Sequence, residues 1–136
     1  MIYYAVLDTN VLISGMLKKP SIPNEILTAC LVGNIVPVIN NDILEEYTAV
    51  VARPKFHFPK SSVDILLNHF IKRGIWQNAL PVDANLPDPK DRIFYETAIA
   101  ARQLHPTYLI TGNQKHFPSD TDFIVSPHQM LDIILS

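Results

Sequence analysis

Cysteine is nearly absent. One thiol in 136 residues excludes an internal disulfide, and Cys30, set in TACLVG among apolar neighbours, reads as a small buried group rather than a nucleophile. The chain has no uninterrupted apolar segment long enough to cross a bilayer, and its N-terminus lacks the charged-then-apolar pattern of a secretory signal. The expectation is a cytosolic (cytoplasmic) protein with no membrane partner. Excess positive charge is missing too. Eleven Lys and Arg against 13 Asp and Glu leave a formal charge of −2, unlike a strongly basic nucleic-acid-binding module, so any nucleic acid would have to be held by a local feature. There is no internal repeat, low-complexity tract or break in composition that would mark a linker. With 48% hydrophobic residues in the length of one ordinary domain, a single domain over residues 1–136 is expected.

The chain does have eleven prolines, which punctuate it between periodic segments. Between them, β-rich runs alternate with amphipathic stretches. IYYAVLD is followed by a helix around Asn24 to Val32, then by NIVPVIN and a helix from about Asp42 to Ala52. A helix over Ser61 to Arg73, with Ser61 or Ser62 as its N-cap, precedes the poorer strand IWQNALPV. The clearest helix start is Asp88-Pro89-Lys90-Asp91, a cap followed by proline at the first helical position and an acid in the first turn. TYLIT, DFIVS and a last helix opened by Ser126-Pro127 complete the pattern. Strands joined through helices pair in parallel, which predicts a three-layer α/β/α sandwich with a central, mainly parallel sheet.

In such sheets ligands gather at the carboxyl ends of the strands. Asp8, in YAVLDTNVLI, lies at such an end, where burial of an ionised group is costly and no Lys or Arg is near in sequence. Its expected company comes from two helices. In NNDILEEYTAVV, Glu46 flanks the apolar face drawn by Ile43, Leu44, Tyr47, Val50 and Val51, whereas Glu45 points closer to solvent. Asp91 borders the face drawn by Ile93, Phe94, Thr97, Ala98 and Ala101, and Asp88 reads as a cap. Three converging carboxylates repel one another, by roughly 4 kcal/mol per pair at about 4 Å and an effective dielectric near 20. Something positive belongs between them. Without a His or Cys cluster, all-oxygen ligation favours Mg²⁺ or Mn²⁺, and a hard divalent ion of this kind suits phosphoryl chemistry by a nuclease or phosphatase.

Four blocks, VLDTNVLIS, ILEEYTAVVARPKF, DPKDRIFYETAIAA and YLITGNQKHFP, in this order over essentially the whole chain, resemble the PIN-domain family of metal-dependent ribonucleases, many of them toxins of toxin–antitoxin pairs. The resemblance implies a PIN-like fold in which Asp8, Glu46 and Asp91 meet at one edge and hold the metal. Thr9 and Asn10 match the small polar residues that follow the first acid, and read as positioning groups or helix caps. The departure lies in TGNQKHF. Many relatives carry a fourth acid in place of Asn113 or His116, and this chain has neither. Asn113 can orient a water without adding charge, and Asp120 and Asp122 are weaker substitutes. One firmly held metal, with a second recruited by substrate, is expected. His116 reads as a surface or packing residue more than as a general acid.

The reaction implied is endonucleolytic cleavage of single-stranded RNA. Around the acids, Thr9, Asn10, Arg53, Lys55, Thr111 and Lys115 are the expected substrate-binding residues, with Lys90 and Arg92 as further cations. A cognate antitoxin protein and a homodimer are the partners implied besides RNA. The rival reading is a PIN fold with weak catalysis that serves as an RNA-binding or protein-interaction module. A haloacid-dehalogenase-type phosphatase needs a second acid two residues after the first, where this chain has Asn10.

Overall fold

The chain leaves its first strand, β1 (Tyr3–Leu7), directly into a helix, α1 (Thr9–Leu17), and then into α2 (Ile22–Val32). These are followed by β2 (Ile35–Ile39), α3 (Asn41–Val51), α4 (Lys60–Arg73), the two-residue β3 (Ile75–Trp76), α5 (Arg92–Ala101), β4 (Thr107–Ile110), β5 (Ile124–Val125) and α6 (Pro127–Leu135). This is a computed structural model that describes residues 1–83, 85–118 and 121–136. Asp120 lies outside the described residues.

All strand pairs are parallel, in the order β3-β2-β1-β4-β5. Moving from β1 through β2 to β3 and then back across to β4 reverses the direction of travel. Right-handed crossovers therefore put helices on both faces, giving the three-layer sandwich. Ala5, Val6 and Leu7 are all buried, the near-continuous apolar run of a strand covered on both sides. The same order makes the gap between the carboxyl ends of β1 and β4 the topological switch point, where open α/β sheets bind their ligands.

Helix α1 is absent from the expected pattern. In TNVLISGML the residues Thr9, Val11, Leu12, Ile13 and Gly15 are all buried, so the helix has little polar face and its 3.6-residue period does not stand out. Its partner α2 starts at Ile22 behind Ser21, whose hydroxyl accepts from the Asn24 N–H at 3.1 Å. The two helices meet closely at Gly15. A β-carbon there would stand 2.6 Å from Leu27 Cδ1 and 2.9 Å from the Pro23 carbonyl oxygen. Gly15→Ala is therefore expected to lower stability by roughly 1–3 kcal/mol through overpacking, read as a lower urea midpoint at unchanged slope.

Other boundaries also differ from expectation. Helix α4 begins at Lys60 with Pro59 before it and no side-chain cap, so neither Ser61 nor Ser62 is its N-cap. IWQNALPV pairs only through Ile75 and Trp76, and DFIVS only through Ile124 and Val125. Asp88 caps as expected, accepting from the Lys90 N–H at 2.9 Å, but the helix it opens starts as a 3₁₀ turn over Pro89–Asp91. Cys30 is buried, and burial pushes its thiol up to about 12.

Tyr47 links α3 to the end of β1. Fully buried against the rings of Phe70 and Phe94, it donates its hydroxyl to the Leu7 carbonyl, one residue before Asp8. That bond holds the helix carrying Glu46 to the carboxyl edge of the sheet.

Candidate active site

The β1–β4 register pairs Leu7 with Ile110. One residue further on, Asp8 and Thr111 face each other across the switch point. The Asp8 N–H donates to the Ile110 carbonyl at 2.9 Å, and the Thr111 hydroxyl donates to Asp8 Oδ2 at 2.8 Å. Asn10 Nδ2 reaches the same oxygen at 3.2 Å, while its Oδ1 accepts from the Gly112 N–H at 3.1 Å. Asn10 thus spans from the acid to the turn after β4. The Thr111 oxygen in turn accepts from the Asn113 N–H at 3.0 Å. Asp8 is 6% exposed. Burial pushes its pKa above the ordinary carboxylate value, and the nearby Asp91 charge adds to the rise; hydrogen bonds from Thr111 and the Thr9 backbone, and the His116 ring, pull the other way.

Asp91 ends the 3₁₀ turn that Asp88 caps, and α5 then packs on β1, β2 and β4. Its carboxylate is largely buried, and Oδ2 has no hydrogen bond among the described residues; the His116 Nδ1 stands 3.4 Å away, within ion-pair range if that ring is protonated. Burial raises the Asp91 pKa, Asp88 raises it further, and His116 opposes both. His116, half-buried in the 3₁₀ turn over Gln114–His116, is therefore part of the site. Sequence gave little sign of this, because the ring reaches Asp91 only through the turn after β4.

The other expected residues are arranged less closely. Glu46 is half-buried on α3 and lines a shallow depression with Asp42, Glu45, Lys90 and Ile93. Among the described residues no three Asp, Glu, His or Cys side chains are gathered into a ready metal cage. Thr9 is buried, and its Oγ1 has no hydrogen-bond partner among the described residues. Thr111, expected to meet substrate, is fully buried with its hydroxyl bonded to Asp8. Asn113, Lys115, Arg53 and Lys55 are exposed, as is Asp122.

Two carboxylates are thus held in low dielectric near enough for one to raise the other, and one buried carboxylate oxygen has no donor among the described residues. Their ionised forms lack full compensation, and a hard cation would supply it. The all-oxygen donor set fits Mg²⁺ or Mn²⁺. No curated protein and no solved structure matches the chain. A PIN-domain family model, however, matches residues 4–115, a span that takes in Asp8, Glu46, Asp91, Asn113 and Lys115. The chain belongs to the PIN-domain family.

Proposed function

We propose that this chain is a metal-dependent endoribonuclease that cleaves phosphodiester bonds in single-stranded RNA. The carrying observation is the pair of buried, raised carboxylates, Asp8 and Asp91, at the β1/β4 switch point of a family whose members are generally nucleases. Asp8 and Asp91 hold Mg²⁺ or Mn²⁺, with Glu46 as the third acid. When bound, the ion activates water and offsets the charge that builds on the phosphodiester. Thr111 and Asn10 orient Asp8, the Thr111 bond opposing the rise in its pKa, and His116 opposes the rise at Asp91. Asn113 orients water at the rim, while the exposed Lys115, Arg53 and Lys55 meet the RNA strand, and the buried Thr9 does not reach it. Single strands suit the site because unstacked bases leave a phosphodiester accessible to recessed acids.

The test is incubation of the purified chain with end-labelled single-stranded RNAs of mixed sequence, in Mg²⁺, in Mn²⁺ and in chelator. Cleavage with either metal only, leaving 5′-phosphate ends, is expected. Cutting that survives the chelator would sink the proposal. A second reading, an RNA-binding PIN module with weak catalysis, is favoured by the neutral Asn113 and by the lack of three gathered acids among the described residues. It would be supported by RNA and Mn²⁺ binding without cleavage. The proposal extends to a toxin restrained by a small antitoxin, for which growth arrest on expression, dependent on Asp8, is the first expected sign.

A further inference from the structure

The chain contains no acid between Glu46 and Asp64, yet that interval carries Arg53, Lys55 and Lys60 interleaved with Phe56 and Phe58 in ARPKFHFPK. In a chain of formal charge −2, this is a local departure. Lys60 pairs with Asp64 at 2.7 Å, whereas Arg53 and Lys55 are exposed and make no ion pair among the described residues. A 3₁₀ turn over Pro54–Phe56 runs into His57, whose backbone is left-handed at φ 54°. That conformation is uncommon for a residue with a side chain. It folds the chain so that the rings on either side of His57 stack, 5.4 Å apart and 12° from parallel. Both rings are half-buried, and Lys55 Nζ lies over Phe56 at 5.1 Å from its centroid. A second, distant segment reaches the same place: Lys19, just past α1, lines one groove with Phe58 and Pro59.

We propose that this basic, aromatic turn is a track for single-stranded RNA, Arg53 and Lys55 taking phosphates and the face of Phe56 taking a base. The inference deepens the nuclease reading and rests on it for where the strand leaves the acids. Helix α3 ends at Val51, roughly 8 Å along its axis from Glu46 at about 1.5 Å per residue, and Arg53 follows two residues later, a span of only a few nucleotides. The Lys55–Phe56 contact is an exposed cation–π pair, weaker than stacking of a base on the same ring. On binding, Lys55 can swing from the ring to a phosphate and leave the ring face to the base. An acidic peptide would satisfy the cations but would leave the paired rings unused. RNA uses both, without demanding a sequence, because every base has a stacking face.

The experiment is fluorescence anisotropy of a labelled single-stranded oligoribonucleotide, titrated with the full chain in chelator at several salt concentrations. Phe56→Leu retains apolar bulk and removes the ring; about tenfold weaker binding is expected. Lys55→Gln, at an exposed position, should lower the slope of log affinity against log salt by about 0.7, one phosphate contact on a single strand. Arg53→Gln should do the same. Binding by all three variants indistinguishable from the unaltered chain overturns the track, as does an unaltered chain that binds no RNA. Metal-dependent cleavage alongside unchanged binding would reject the track and leave the nuclease standing; weakened binding in a chain that cuts nothing would do the reverse.

Discussion

Asp8→Asn is expected to reduce metal-dependent RNA cleavage by about a thousandfold or more, the scale on which preorganised charge at a reaction centre acts, and to make the metal-free protein more stable at neutral pH. The two effects share one cause. Asp8 is buried, and its pKa lies above the ordinary carboxylate value because burial and the Asp91 charge disfavour its ionised form. A group whose folded pKa is raised binds its proton more readily in the folded chain than in the unfolded one. Its stability contribution is therefore fully present below the ordinary value of 3.8 and is lost as pH rises through the raised folded value. Asp91, raised by burial and by Asp88, acts in the same direction. Asparagine at position 8 removes one of the two charges while its carbonyl can still accept from Thr111. In chelator the variant should melt a few °C above the unaltered chain at pH 7, corresponding to roughly 1 kcal/mol at this chain length, and the gap should close towards pH 4. Mg²⁺ should raise the melting temperature of the unaltered chain, by preferential binding to the folded state, and do so much less for the variant. Loss of cleavage together with a lower metal-free melting temperature would instead make Asp8 a structural residue.

How much of this was legible in the sequence depends on the distance over which each feature is built. Asp8 at a strand end, Asp88 as a cap and Glu46 beside an apolar helix face are local facts, written in runs of fewer than about ten residues with clear periodicity. Helix α1 failed to show because it is buried on most sides, and periodicity reports contrast rather than helicity. The ends of β3 and β5 failed because a strand stops where its neighbour stops, which the run IWQNALPV does not record. The site is legible to a similar depth. The acids were suggested by their positions, but the bonds that hold Asp8 come from Thr111 and from an Asn10 that also grips Gly112, partners about a hundred residues apart in sequence. Only the register of β1 with β4 brings them together. His116 had no pattern of its own, and its place beside Asp91 follows from where the turn after β4 lands.

That register also carries the second large effect, expected at Thr111. Its side chain is fully buried, with a hydroxyl that donates to Asp8 Oδ2 at 2.8 Å and accepts from the Asn113 N–H at 3.0 Å. Thr111→Val keeps the shape and removes both bonds. Asp8 Oδ2 then retains Asn10 as its side-chain donor, and the Asn113 N–H loses its acceptor. Metal affinity and cleavage should each fall roughly 10–100-fold, the usual cost of losing a group that orients a ligand, with about 1–2 kcal/mol of stability lost to the unmet polar groups. Stability alone cannot identify the role, since any buried hydroxyl would register there. The distinguishing readout is the acid limb of the pH–rate profile. The Thr111 bond lowers the Asp8 pKa, so its removal leaves that pKa higher still, and the acid limb should move to higher pH. Thr111→Ser, which restores the hydroxyl without the methyl, should bring back most of the activity and return the limb to its original position. A threonine that merely filled space would give the opposite pattern, with valine active and serine impaired, because the packing methyl rather than the hydroxyl would then be what the site requires.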